Sequence, residues 1–414
     1  MRAPHLILAC FLCLWSCAER EFSNPLDPRN PQTRGRPQGL RCYSLEDTVF
    51  LFWDRLDLIG LRGCRVWRAD EGAGFRVVAV LPPECCSFVD VGLTSGRRYH
   101  YFVTIVGEDF ESPPSDTATI TPGPTTGLVA DPYAGSVVRL SYDLQHVIWE
   151  SSWSAYPYDM VVDRRRGKVW VTDALSGCVW IVSLRTGDYV GRSTGFWSPW
   201  SLSPCAASGG VLVADYYGRQ VVALDAEGNE LWRDDRFRRP ADVAAAGVGF
   251  WVLDRETRSV AYYSGPGTEA LYRCPFSLQD PREIEADAKG LFLWLADAHA
   301  VYCFDMRRGK WQLVLDRLVD VRGLSVGPDG EQGWILDGTG VSQWSARALR
   351  ADRAGMVEVE SGGWFGATDI AYDRFTHGCL LANPLTHEVV RLDSLGNVES
   401  RSHSFTRPQT VKVD

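Results

Sequence analysis

A short phrase recurs seven times along the chain: two or three apolar residues, an acidic or amide residue, a polar turn, then a second apolar strand. The copies are Leu128-Val129-Ala130-Asp131, Trp170-Val171-Thr172-Asp173, Leu212-Val213-Ala214-Asp215, Trp251-Val252-Leu253-Asp254, Trp294-Leu295-Ala296-Asp297, Trp334-Ile335-Leu336-Asp337 and Leu380-Leu381-Ala382-Asn383. Their last residues, the anchors, stand 39 to 46 residues apart. An Asp at the head of a turn can accept hydrogen bonds from the turn's own amides. Val follows at the sixth residue in five copies (Val137, Val179, Val221, Val260, Val389) and at the fourth in two (Val301, Val341), which predicts two shorter hairpin loops.

A second phrase, usually Pro followed by alternating apolar positions, precedes six of the anchors, starting at Pro157, Pro199, Pro240, Pro281, Val321 and Ala367. Pro suits the first residue of a strand, where its missing N–H breaks no ladder bond. A seventh copy, Pro408 to Asp414, has no anchor after it, and the anchor Asp131 has no such strand before it. The two incomplete units complement each other. A period of this size built from short strands reads as the blade of a β-propeller, here with seven blades and a ring closed by pairing the C-terminal strand beside the segment around Asp131. Sixteen Trp residues supply rings large enough for the wedge-shaped gaps between blades. One blade alone buries too little surface, so the ring folds as a unit.

The strand Pro157 to Asp163, its counterpart Pro408 to Asp414, and the run Val213 to Asp225 resemble the NHL family of propeller repeats, over roughly residues 125–414. The resemblance implies the fold; its members include binders, scaffolds and a few lyases, so it leaves activity open.

Residues 38–122 read as a β-sandwich that resembles a fibronectin type III domain. The segments carrying this are Val49-Phe50-Leu51-Phe52-Trp53, Leu93 to Tyr99, and the alternating strand Tyr99, Tyr101, Val103, Ile105, with Tyr99 at the tyrosine-corner position. Thr121-Pro122-Gly123-Pro124 marks the boundary with residues 123–414. Residues 1–17 have the form of a signal peptide, and Leu14-Trp15-Ser16-Cys17 resembles a bacterial lipobox, which implies lipidation of Cys17; simple cleavage after Ala18 is the other reading. Residues 18–37, rich in Pro, Asn and Arg, read as a tether. The expected place is the bacterial cell envelope, as an outer-membrane lipoprotein, with a secreted or periplasmic protein as the alternative and the membrane met only through an N-terminal lipid.

The chain has a net charge of −9 and no basic stripe, which argues against a nucleic-acid partner. Its 12 Cys include Cys42, Cys64, Cys85 and Cys86 in the sandwich, for which three pairings are possible; none has a zinc-ligand spacing. No Gly-x-Ser-x-Gly elbow and no phosphate-binding Gly loop occurs.

Strand order places certain loops on one face of the ring, here called the top. They carry Tyr133, Tyr156, Trp197, Tyr216, Tyr217, Arg219, Phe237, Arg255, Arg258, His299, Trp364 and His387. Aromatic, Arg and His side chains on loops over a rigid scaffold suit a protein or polysaccharide partner; the plainer reading makes the rings filler between blades. The third residue of the inner-strand phrase is acidic in four blades, Asp159, Asp242, Glu283 and Asp369. Such carboxylates suit Ca²⁺ if they converge; otherwise they bond backbone in the neighbouring blade. The preferred function is a non-catalytic envelope binder with no cofactor and the sandwich as spacer. Alternatives are a metal-dependent lyase or hydrolase at the channel mouth, using a base such as His299 or His387, and a structural scaffold in an envelope complex.

Overall fold

The computed structural model describes residues 23–414; the expected signal segment and Cys17 lie outside the described residues. The described chain is all-β. It divides into two compact units, one made of the segments up to Arg41, Phe52–Phe88 and His100–Ala118, the other of Cys42–Leu51, Val89–Tyr99 and Thr119–Asp414.

Two sheets are formed by residues before Thr121. One has the order Arg41–Leu45, Thr48–Phe52, Ser87–Asp90; the other runs Arg76–Leu81, Leu61–Asp70, Tyr99–Gly107, Ala118–Ile120. The Tyr99 hydroxyl accepts a hydrogen bond from Thr94 N at 2.9 Å, which ties the loop before the strand back onto the strand's first residue. Within residues 24–35 the chain makes hydrogen-bonded turns, and the buried Asn30 side chain accepts from Gln32 N and Thr33 N while donating to Asn24 O.

From Gly127 onward the chain forms seven four-stranded antiparallel sheets. Their first strands are Pro157–Asp163, Pro199–Cys205, Pro240–Ala246, Glu283–Ala286, Val321–Val326, Asp369–Tyr372 and, for the sheet that contains Gly127–Asp131, the C-terminal strand Thr410–Val413. That last strand pairs antiparallel with Gly127–Asp131, Val411 opposite Val129. Each first strand packs beside the next, and Thr410–Val413 lies between Asp369–Tyr372 and Pro157–Asp163. This is a β-propeller architecture, in which Thr410–Val413 completes the sheet that contains Gly127–Asp131.

The sequence pattern explains the packing. The second strand of each sheet is buried along nearly its whole length, because both faces are covered by neighbouring sheets. The hydrophobic clusters of this region each straddle two adjacent sheets, including one that joins Val129 and Val138 to Leu380, Val389 and Val411. The residue three before the anchor is a fully buried Trp in four sheets: Trp170, Trp251, Trp294 and Trp334. Each reaches toward the following sheet, and Trp294 Nε1 donates to Gly330 O there at 3.0 Å. Truncating one of these rings to Ala would cost about 3–5 kcal/mol.

One expectation fails. Val341 does not open a third strand after a short turn; it lies in a loop and is 86% exposed. The third strand here is Ser345–Asp352, with Ala346 and Ala348 as its buried face, so this loop is longer than its counterparts. Gly340 takes a positive φ of 73°, and Ser342 accepts from Ser345 N, which turns the chain before the strand begins. At Val301 the short turn is present, with the strand starting at Ala300.

Candidate functional site

The anchors build the top of the ring. Every Asp anchor is nearly or fully buried. Asp131 Oδ1 accepts from Tyr133 N and Ala134 N in its own turn, and Oδ2 accepts from Thr406 N and Arg407 N in the loop that enters the first strand. Asp173 repeats the arrangement with Leu175 N, Ser176 N and Ala155 N, and Asp215 with Gly218 N, Trp197 N and Ser198 N. Asp254, Asp297 and Asp337 likewise hold the entering loop through Arg238 N, Gln279 N and Val319 N. At Asp131, Asp173, Asp215 and Asp254 one carboxylate thus pins two loops of the same sheet. For Asp173, burial would raise the carboxyl's pKa, but the hydrogen bonds from Ser176 and Ala155 amides and the Ser154 and Trp180 side chains outweigh it and hold the group below the ordinary carboxylate range.

Four residues after an anchor the turn closes in the left-handed region, at Gly135, Gly177, Arg219, Arg258 and His387. A Cβ at Gly177 would sit 2.5 Å from Phe196 O, so Gly is required there. Arg219, Arg258 and His387 are exposed because of this turn position.

Inside the ring, the first strands line a cavity of about 620 Å³. Its wall is built from the second residue of each strand phrase, a position that carries no acid in any copy. Tyr158 and Trp200 lie on one side, their rings 5.6 Å apart. Trp200 stacks flat on the buried Tyr216 at 3.8 Å and meets Tyr217 edge-on at 6.4 Å, while its Nε1 donates to Ser198 Oγ. Burial, then the neighbouring Asp159, pushes the Tyr158 hydroxyl up to about 12. Farther round the rim, Tyr133 and Tyr156 pair at 6.4 Å under the guanidinium of Arg407. On the other side Arg255, Arg282 and Arg322 line the cavity and are joined by two carboxylates into one ladder: Arg255 to Asp280 at 3.2 Å, Asp280 to Arg282 at 2.9 Å, Arg282 to Asp320 at 3.2 Å and Asp320 to Arg322 at 3.1 Å. Arg322 Nη2 also donates to Gln343 O at 2.8 Å, which ties the ladder to the long loop containing Val341.

Asp159, Asp242, Glu283 and Asp369 all line this cavity, yet they are not gathered as a ligand set: among the described residues no group of three or more His, Cys, Asp or Glu is disposed to hold a metal ion. Each spends an oxygen on the backbone of the next sheet. Asp159 accepts from Leu202 N at 2.9 Å, Asp242 from Ile284 N at 2.7 Å, Glu283 from Leu324 N at 2.8 Å and Asp369 from Val411 N at 2.9 Å. Glu285, two residues deeper, does the same with Val326 N at 2.9 Å. Where Ser201 replaces an acid, its hydroxyl bonds Asp242, and Thr410 donates to Tyr158 O at 2.6 Å. The acidic ring is a clasp between sheets.

The clasp carries more negative charge than it neutralises. Lys412 reaches Asp159 at 3.4 Å. Burial would lower its pKa, but Asp159, Asp369, Glu283 and Glu285 outweigh burial and raise it, so the ammonium stays charged. Burial drives Asp242 and Glu285 up to about 7 and Asp369 up to about 6, and burial with the charges of Asp369 and Asp242 raises Glu283 well above its ordinary value.

Of the top-loop residues expected from sequence to meet a ligand, only Arg255 lines the cavity. Tyr216, Phe237 and Trp364 are buried: Tyr216 under Trp200, Phe237 edge-on to Tyr263 at 5.5 Å, and Trp364 against Ala367 and Ile370 with its Nε1 on Ser361 O. These three rings fill space beneath the loops, because loops that enter a wedge must plug it. Trp197 is 75% exposed and lines a separate shallow groove with Leu175, Gly177 and Gln220. Tyr133 and Tyr217 are exposed at the rim and Tyr156 half-buried. His299 and His387 are exposed outside the cavity; His387 Nδ1 bonds Thr406 O.

No known family profile matches the chain, and no curated protein does. Solved structures do. A functionally unknown protein from Desulfotomaculum acetoxidans superposes with a TM-score of 0.58 at 10% identity, over 70% of this chain and 98% of that one. A putative 6-phosphogluconolactonase from Bacteroides uniformis gives 0.56 at 13% identity, over 70% and 99%. The Swd1 β-propeller domain from Myceliophteria thermophila gives 0.51 at 13% identity, over 62% and 89%. At these identities the likeness is one of fold, and the fold shared is the β-propeller.

Proposed function

We propose that this chain is a non-catalytic binding protein of the bacterial cell envelope that takes a polysaccharide or protein segment across the mouth of its propeller channel. The observation that carries the reading is the lining of the mouth: an aromatic wall of Tyr158 and Trp200 opposite the Arg255–Asp280–Arg282–Asp320–Arg322 ladder, over a cavity of about 620 Å³. Flat rings suit sugar or side-chain faces, and Arg forks suit oxygen acceptors. The acids beneath are committed to holding neighbouring sheets together, and His299 and His387 stand outside the cavity, so the reading assigns them no chemistry.

Seven blades of NHL type, closed by the first and last strands, fit the seven sheets and the pairing of Val411 with Val129. A fibronectin type III spacer is supported by the two strand orders before Thr121 and the Tyr99–Thr94 bond. Export and lipidation at Cys17 rest on the N-terminal sequence.

The test is a glycan array and an envelope-extract capture with wild type, Trp200→Ala and Arg282→Gln. The expected result is a ligand retained by wild type and weakened at least tenfold by either substitution, with melting unchanged for Arg282→Gln. Binding that both variants leave intact would remove the channel mouth from the function.

A further inference from the structure

We infer that Cys64 and Cys85 are a redox-active pair that closes to a disulfide in an oxidising compartment, with Cys86 as the thiol beside it. Of the four sandwich cysteines, for which three pairings are possible, the structure puts the Cys64 side chain beside Cys85. Cys64 lies in the strand Leu61–Asp70 and is paired across the ladder with Leu81. After Leu81 the chain makes a turn closed by Cys85 N on Pro82 O at 3.1 Å, which carries Cys85 back over Cys64. Cys64 Sγ then lies 3.9 Å from the Cys85 carbonyl oxygen. Cys86 is held from the other side, its carbonyl accepting from Trp53 N at 3.0 Å.

The Cys64 thiol therefore lies against the backbone of Cys85, with Cys86 the next residue, and the three cysteines differ in access. Cys64 is 1% exposed, whereas Cys85 and Cys86 are half-buried. Burial, then the proximity of Cys85 and Cys86, pushes the Cys64 thiol up to about 11, so Cys64 is a poor first nucleophile. An oxidant meets the vicinal pair first. A disulfide between adjacent residues strains the backbone between them, so Cys85 and Cys86 do not readily bridge each other.

The chemistry balances with a small-molecule disulfide as oxidant. The Cys85 thiolate attacks one sulfur of that disulfide and expels one small thiolate, leaving a mixed disulfide on Cys85. The Cys64 thiol gives up its proton and attacks the Cys85 sulfur, expelling the second small thiolate. The net change is two protein thiols oxidised to one disulfide and one small disulfide reduced to two thiols. Cys178, Cys205, Cys274, Cys303 and Cys379 sit in other sheets or loops of the propeller and have no comparable group of thiols around them in the sequence. The compartment such a bond needs is the one an exported chain reaches.

The experiment equilibrates the full chain with oxidised glutathione, blocks free thiols under denaturing conditions and maps the peptides by mass spectrometry. Expected is a linked pair joining the Cys64 peptide to the one that carries Cys85 and Cys86, with two thiols lost to alkylation. Cys86→Ser should keep the link. Cys64→Ser should abolish it and leave glutathione on Cys85. Melting of the oxidised wild type should fall by several degrees on reduction, a shift absent from Cys64→Ser. Full alkylation of Cys64 after oxidation, or loss of the link in Cys86→Ser, would overturn the assignment.

Discussion

The guanidinium of Arg391 meets the carboxylate of Asp373 at 2.6 Å with neither side chain exposed to solvent. Thr125 joins the pair, its hydroxyl donating to Asp373 at 2.7 Å and accepting from Arg391 at 3.1 Å, and the ring of Tyr142 lies 4.3 Å from the guanidinium carbon. The next sheet repeats the device one repeat later: Arg139 bonds Asp414 and Thr126, in the same strand positions. Two consecutive buried Arg–Asp–Thr groups therefore lie where the first and last residues of the propeller meet.

Breaking the first of these pairs should be costly. Arg391→Met leaves Asp373 buried without a counter-charge and is expected to lower stability by about 3–5 kcal/mol in chemical denaturation. Burial would raise the Asp373 pKa, but Arg391, Thr125 and the amides of Phe375 and Thr376 outweigh it and depress it. A depressed carboxylate contributes stability above its unfolded range and loses it as pH falls through the folded value. The gap between wild type and Arg391→Met should therefore narrow on acidification below pH ~4. A gap that is constant with pH would mean the loss is one of packing alone.

His146 should make stability fall on the alkaline side. Its Nδ1 lies 3.2 Å from Asp143 Oδ1, and Asp143 is itself fixed by Thr121 N. Burial would lower the imidazole's pKa, but bonds to Asp143 and Cys42 outweigh it and raise it to about 10. Stability from a raised base is complete below its unfolded value, declines above it and is gone beyond the folded value. The melting advantage of wild type over His146→Gln is expected to shrink steadily from pH 7 to 10. An advantage that grows over that range would contradict the imidazolium pairing.

Lys412 should matter more at pH 8 than at pH 5. The carboxylates around it have raised pKa values, about 7 for Asp242 and Glu285 and about 6 for Asp369, chiefly through burial. A raised acid binds its proton more tightly in the folded chain, so it weakens folding as pH rises from the unfolded carboxylate range through the folded value. Lys412→Met removes the compensating cation and is expected to cost about 3–5 kcal/mol at pH 8. At pH 5, where those acids carry protons, the cost should be clearly smaller. Denaturant titrations at the two pH values decide it.

The anchors predict local rather than only global effects. Asp215→Ala leaves the amides of Trp197, Ser198 and Gly218 without their acceptor and should cost about 3 kcal/mol. Hydrogen exchange should accelerate at those amides before the sheet opens. Asp225→Ala, at an exposed hairpin where the carboxylate bonds Glu227 N and Asn229 N, should leave global stability close to wild type.

Much of this could be read from the chain. The phrase ending in an Asp anchor marks a strand buried on both faces, and the structure places Trp170, Trp251, Trp294 and Trp334 at one equivalent wedge position. The spare strand at Pro408 and the strandless anchor Asp131 find each other. The acidic ring was also visible, including its bond to neighbouring backbone as one of two readings. The wall of the cavity was not, because Tyr158, Trp200, Arg282 and Arg322 differ in chemistry and share only a position. Val341 misled because Val in a Gly-containing loop imitates the start of a strand.

Periodicity determined the sheets, their number and the residues they bury, since those follow from alternation along each strand and from turn chemistry within a few residues. Only the tertiary structure decided which loop side chains face solvent, which plug a wedge and which line the channel. Tyr216 and Tyr217 are neighbours in sequence, and one is buried under Trp200 while the other stands at the rim. That choice depends on side chains that only folding brings together, Trp200 from the first strand of the same sheet and Arg239 from the loop entering the next.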